Sequence, residues 1–174
     1  TTGGDTGGSV IWWGGTGQDG EVRAGGALTY TDNGDGTITD EATGLVWEKL
    51  SDDGGTHDKD TLYTWADAFA VKVAALNSGA GFAGYTDWRL PNVKELESIV
   101  NFETINPAVS APFNTGCVGG CTVTTCSCTA PTYYWSSSTY VLQPAYAWRV
   151  FFYDALVSAG HKPDDFAVRA VRGG

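Results

Sequence analysis

Four cysteines, Cys117, Cys121, Cys126 and Cys128, fall within one short Thr/Gly-rich stretch. Four thiols so close can form two disulfides, hold a metal such as tetrahedral zinc, or stay free. Their spacing is C-x3-C followed later by C-x-C, and the paired C-x-x-C of common zinc sites is missing. Two disulfides are therefore the plainer reading for a domain in an oxidising compartment. Pairing Cys121 with Cys126 and Cys117 with Cys128 nests within one hairpin, and the other pairings stay open. Either way the thiols staple a loop with little core of its own. No basic residue flanks them to depress a thiol pKa, which argues against redox catalysis.

Other groups with chemical potential are sparse. Asp32-Asn33-Gly34-Asp35-Gly36 has the look of a calcium loop. In EF-hand register, however, position 1 is Thr31, and Ala42 stands where the bidentate Glu belongs. A turn-forming hairpin accounts for the same residues, and calcium is left only a looser site. His57 lies in a polar loop beside Asp58 and Asp60 and is expected to be solvated, while His161 is isolated from any Ser-His-Asp pattern. Arg89, Arg169 and Arg172 can serve a ligand. For Arg89 and Arg169 the plainer expectation is a fork onto Asp87, Glu95 or Glu97 that ties the chain's end to the helices. Trp47, Trp65, Trp88, Trp135 and Trp148 are read as core.

The chain has 174 residues, with 20 Asp and Glu against 10 Lys and Arg, for a formal net charge of -10. It carries no basic footprint for nucleic acid, and attraction to anionic membranes is disfavoured. No apolar run reaches the roughly 20 residues of a spanning helix. With 42% hydrophobic and 13% aromatic residues, the sequence supports one folded domain with a sizeable core.

These groups must be positioned by a mixture of strands and helices. Residues 1–20 read as a flexible leader in which the apolar segment 10–13 docks on the core, and residues 21–174 as one domain. Alternation on either side of Asn33-Gly34-Asp35-Gly36, then the turn Glu41-Ala42-Thr43-Gly44 before Leu45-Val46-Trp47, predicts a three-strand meander. Leu62, Trp65, Ala66, Phe69, Val73 and Leu76 recur at helical spacing behind a Thr64 cap. Asn92 with Glu95 makes a capping box for a second helix, whose buried face is Val93, Leu96, Ile99 and Val100. Strand-like runs are expected over 150–157 and 168–172. The layout is α+β: antiparallel sheets carrying two helices, not alternating βαβ units. Residues 115–132 form the cysteine insertion.

Residues 133–172 carry the least ordinary surface. Between apolar anchors, aromatic, aliphatic, charged and turn types mix where a solvated sheet face shows Thr, Lys and Glu. This reads as a recognition surface presenting Tyr140, Leu142, Arg149, Phe151, Tyr153, Asp154, Leu156, Ser158, His161 and Asp164 to a partner.

Several phrases occur together in one order: the Asp32–Asp40 hairpin, Thr43-Gly44-Leu45-Val46-Trp47, Thr64-Trp65, Asp87-Trp88-Arg89-Leu90-Pro91, Asn92-Val93-Lys94-Glu95-Leu96, Tyr134-Trp135-Ser136-Ser137 and Val168-Arg169-Ala170-Val171-Arg172. With them the chain resembles the Lcl C-terminal domain family from about Gly20 onward. The resemblance implies a C-type-lectin-like fold related to the formylglycine-generating enzymes, in extracellular, adhesive or phage-borne proteins.

The chain also resembles the variable proteins of diversity-generating retroelements, in which adenine-directed mutagenesis rewrites a C-terminal lectin-like segment. Such targeted codons never give Lys, Glu, Gln, Met or Trp. Between Arg149 and Ala167 every residue outside the family-like anchors belongs to the permitted set. Ala155 stands where the family usually has Gly. The resemblance thus implies a non-enzymatic, extracellular, cell-surface or virion protein with a hypervariable C-terminal segment, recognising a protein or glycan on a cell surface. The alternative is a fixed adhesin module for glycan or matrix polysaccharide. An oxidase-like enzyme is a third class, against which the position of the cysteines in an insertion counts. No cofactor is expected.

Overall fold

The computed structural model describes residues 28–173. The expected leader, residues 1–20 with its segment 10–13, lies outside the described residues.

Side chains build the first turns. Asp32 Oδ1 accepts the Gly34 N–H at 3.0 Å, and Asp35 Oδ1 accepts the Thr37 N–H at 3.0 Å and its hydroxyl at 2.6 Å. These bonds close the hairpin of β1 (Tyr30–Asp32) and β2 (Thr37–Asp40). The calcium-like phrase thus spends its oxygens on its own backbone and on Lys49, whose Nζ lies 2.7 Å from Asp32 Oδ2. Asp40 organises the next turn by accepting from the Ala42 N–H and the Thr43 hydroxyl. That turn delivers β3 (Val46–Glu48), and β7 (Val171–Arg172) closes the sheet in the order β1-β2-β3-β7.

Helix α1 spans 65–76, with Thr64 Oγ1 capping the Asp67 N–H at 3.1 Å. Its middle, Ala68–Val73, is π-helical. The buried stripe is Ala68, Lys72 and Leu76. Of the apolar residues expected to face inward, Leu76 is fully buried and Leu62 and Phe69 are exposed. The physical reason is a charge: Lys72 is drawn inward by a buried carboxylate and takes the central place of the stripe. Helix α2 (Val93–Ser98) follows expectation. Asn92 accepts from Lys94 N–H and Glu95 N–H, and Glu95 Oε2 accepts the Asn92 N–H at 2.8 Å. Leu96, Ile99 and Val100 are buried and Val93 half-buried.

The second antiparallel sheet has the order β4-β5-β6, from β4 (Tyr133–Thr139), β5 (Tyr146–Phe151) and β6 (Leu156–His161). The run 150–157 is therefore not one strand. Residues 152–155 turn the chain back, with Ala155 at φ 70°. The run 168–172 is shorter than expected as well. Residue 167 first exchanges backbone bonds with β4, each 3.0 Å, and only β7 joins the first sheet. The closing segment thus stitches one sheet to the other. Ile38, Trp47, Leu96, Ile99, Phe113, Tyr134, Val150 and Phe152 pack in one core drawn from both sheets and α2. The fold is α+β.

Between the first sheet and α1 lies Glu48, fully buried. Its Oε1 accepts from Lys72 Nζ at 2.5 Å and lies 2.7 Å from His57 Nδ1, and its Oε2 accepts the Ala170 N–H at 3.0 Å. Lys72 Nζ also donates to the Thr56 carbonyl. His57 is thus not simply solvated: it serves the carboxylate and packs on Phe82 at 4.2 Å. Burial by itself raises the Glu48 carboxyl. The Lys72 ammonium, together with His57, outweighs that and holds it below its ordinary value.

Removing one partner of a buried pair leaves the other charge uncompensated. Lys72→Ala is expected to lower the unfolding free energy by about 3 kcal/mol or more in urea titration, against under ~0.5 kcal/mol for exposed Lys94→Ala. Because Glu48 is depressed in the folded state, its contribution is present above the ordinary carboxylate range and is lost as pH falls through the folded value. An unfolding profile in which Lys72→Ala and Lys94→Ala behave alike contradicts this account.

Candidate ligand-binding face

Strand pairing decides which way each side chain points. Tyr133, Phe151 and Leu156 are cross-strand neighbours, and so are Trp135, Arg149 and Ser158. These two rows share one face of the second sheet. The row between them, Tyr134, Val150 and Val157, points the other way into the core.

The outer face is an aromatic array around one cation. Tyr133 and Phe151 stack with centroids 4.4 Å apart and planes at 23°, and Tyr153 continues the stack at 5.8 Å and 21°. Phe166 meets Trp135 edge to face at 4.7 Å and Tyr133 at 5.6 Å. The Arg149 guanidinium carbon sits 3.7 Å from the Tyr133 ring centroid and 4.3 Å from that of Phe166. Its Nε reaches the Ser158 hydroxyl at 3.3 Å. Trp135 is the buried floor and donates its indole N–H to the Tyr63 carbonyl. Gly160 leaves the room this packing needs. A Cβ there would lie 2.9 Å from Arg149 Cδ, 2.9 Å from Phe166 Cε2 and 3.0 Å from Trp135 Cη2.

The ten residues predicted from sequence divide three ways. Arg149, Phe151, Leu156 and Ser158 lie together on this face. Tyr140 and His161 fall at the far end, on the opposite side, with rings 5.1 Å from Trp148 and Tyr146 respectively. Leu142, Tyr153, Asp154 and Asp164 sit on connecting turns, and Tyr153 alone of these folds back onto the array. Trp148 and Trp65 are half-buried, not core. Trp65 instead carries Lys162 Nζ 3.9 Å above its ring. Tyr133 and Phe166 belong to the array but not to the ten. The alternation of Tyr133 with buried Tyr134 was the signal for the first, and Phe166 enters by a chain reversal no local pattern announces.

Among the described residues, the arginines outside the face are engaged internally. Arg89 forms two bonds with Glu95, at 2.7 and 2.8 Å, and donates to the Gly173 carbonyl. Arg172 pairs with Asp87 at 2.8 Å. Arg169 pairs with none of the expected carboxylates. It is fully buried and donates to the carbonyls of Glu48 and Cys128 and to the Thr129 hydroxyl. That bond ties the cysteine insertion to the frame. The insertion carries two nested disulfides, Cys117–Cys128 and Cys121–Cys126, which occupy all four sulfurs. Asp52, Asp58 and Asp60 bring carboxylate oxygens within 4.8 Å of one another. Asp58 already accepts the Gly54 and Asp60 N–H groups, and Lys59 bridges Asp52 and Asp60. A hollow of about 240 Å³ opens beside α2, lined by Leu28, Glu97, Ser98, Val100 and Phe102; none of the face residues borders it.

The sequence profile of the Lcl C-terminal domain family matches residues 36–172. The chain belongs to the Lcl C-terminal domain family. As an Lcl C-terminal domain it is a lectin-like binding module of α+β fold, stapled by disulfides. No curated protein matches the chain at a significant level. Two disulfides fit an oxidising, extracellular setting, and among the described residues no helix is long and apolar enough to cross a membrane.

The packing around Gly160 gives a direct check. Gly160→Ala is expected to cost about 1–3 kcal/mol through overpacking. It should also lift Arg149 off the Tyr133 ring, seen as a change in the Tyr133 ring proton shifts. Unchanged shifts would show that the guanidinium is not held there.

Proposed function

We propose that this Lcl C-terminal domain is a non-enzymatic ligand-binding protein whose binding surface is the outer face of the second sheet. We further propose that this face is the hypervariable surface of a diversity-generating retroelement variable protein. The observation that carries the reading is the separation of rows: Arg149, Phe151, Leu156 and Ser158 point outward, while Tyr134 and Val150, between them in space, are buried. Exposed side chains on a packed sheet can change without disturbing the row beneath, and aromatic groups supply contact area at low entropic cost. The partner in this reading is a protein or glycan on a cell surface, and the domain acts outside the cell or on a virion.

A fixed adhesin that stacks sugar rings draws less support from the array. Tyr133 and Phe151 each have one ring face covered by the other, which removes those faces from a sugar. The net charge of -10 also opposes a sulfated polysaccharide.

Sequencing the coding region across a source population tests the diversified reading. Substitutions are expected at Arg149, Phe151, Tyr153, Leu156 and Ser158, sparing Trp135, Val150, Phe152 and Gly160. A flat profile along residues 140–167 removes the diversified reading and leaves a fixed binding module.

A further inference from the structure

The chain has twice as many acids as bases. Accordingly Lys49, Lys59, Lys72, Arg89 and Arg172 each sit against a carboxylate. Arg149 does not. Among the described residues it has no ion-pair partner, although it is half-buried and far from loose.

Its guanidinium sits in the corner made by two rings, 3.7 Å from the Tyr133 centroid and 4.3 Å from that of Phe166, the two centroids being 5.6 Å apart. Contact with two inclined rings restricts how the group can turn, and a cation held on ring faces keeps its N–H donors available. Nε is directed to Ser158, and Gly160 keeps the stem from being pushed outward. What remains is the terminal edge, with both Nη groups free of hydrogen-bond partners among the described residues. That fork matches the two oxygens of a carboxylate, and its restricted orientation lowers the ordering cost a mobile Arg incurs on binding. Phe151 and Leu156 beside it supply apolar contact and no competing charge. At long range the -10 chain repels polyanions, so the edge suits one negative group on an otherwise apolar ligand.

We infer that Arg149 is the anion-recognising centre of the binding face, taking a single carboxylate carried next to an aromatic or aliphatic group. The inference rests on the outer face being the binding surface. The carboxylate in this reading is an acidic side chain of a protein partner, because Phe151 and Leu156 ask for an apolar neighbour that the hydroxyl-covered ring of a uronic acid lacks.

The test is a titration of the ¹⁵N-labelled protein with sodium benzoate at constant ionic strength, with benzamide as the neutral isostere. The Arg149 side-chain N–H signal, assigned by its loss in Arg149→Lys, and the Tyr133 ring signals are followed. Benzoate is expected to shift both in a saturable way and benzamide is not. Arg149→Lys is expected to weaken benzoate by about tenfold or more with its unfolding transition unchanged. Acetyl-Phe-Glu-amide and glucuronate are titrated alongside: the peptide is expected to bind more tightly, and tighter binding of glucuronate overturns the protein ligand with its apolar neighbour. Equal responses to benzoate and benzamide, or benzoate binding that survives Arg149→Lys, overturn the inference. If population sequences vary at this face while benzoate ignores Arg149, the anion site falls and the binding-face reading stands. Saturable benzoate binding at Arg149 with an invariant face keeps the site and removes the diversified reading.

Discussion

One buried carboxylate holds this fold together. Glu48 ends β3, and its side chain takes bonds from α1 through Lys72, from the loop after β3 through His57, and from the closing segment through Ala170. Its backbone works alongside: the Glu48 N–H donates to the Ala170 carbonyl, and its own carbonyl accepts from Arg169. A carboxylate in such a place is costly unless each oxygen is served. Both oxygens are, so strand, loop, helix and chain end must be in position together. The packing of the two sheets follows, because the segment that meets Glu48 at Ala170 is the one that runs along β4 at Ala167.

This arrangement leaves the second sheet supported from behind. Its inner row packs on the core, and its outer row rests on Trp135 and Phe166. The side chains that fix the frame are thus not the ones displayed. A binding surface built this way gains rigidity from residues the ligand never meets, and its outer residues answer only to one another. The ring corner that holds Arg149 is where the division is least complete, since Gly160 and Trp135 belong to both roles.

Features set by local chemistry were legible in the sequence. The Asp32–Asp40 hairpin, the Asn92–Glu95 capping box and the Arg89–Glu95 fork all lie within a few residues of their partners, and turn and cap preferences suffice to find them. The knot at Glu48 was not legible. Lys72 lies 24 residues from Glu48 and reads as the polar face of an amphipathic helix. Apolar periodicity therefore rotated α1 away from its true stripe. The β5–β6 turn was hidden because Ala155 occupies a left-handed position without the Gly or Asn that usually marks one. Without that turn, the alternation that sorts Arg149 and Phe151 from Tyr140 and His161 cannot be set.

The central claim is that frame and face are separable. The most direct measurement is thermal unfolding at neutral pH of a small library varied together at Phe151, Tyr153, Leu156 and Ser158, beside Glu48→Ala. The account predicts that most library members keep a single cooperative transition close to that of the parent, while Glu48→Ala loses it or shifts it far downward. A library that unfolds as readily as Glu48→Ala would contradict it, placing the stability of the domain in the face itself.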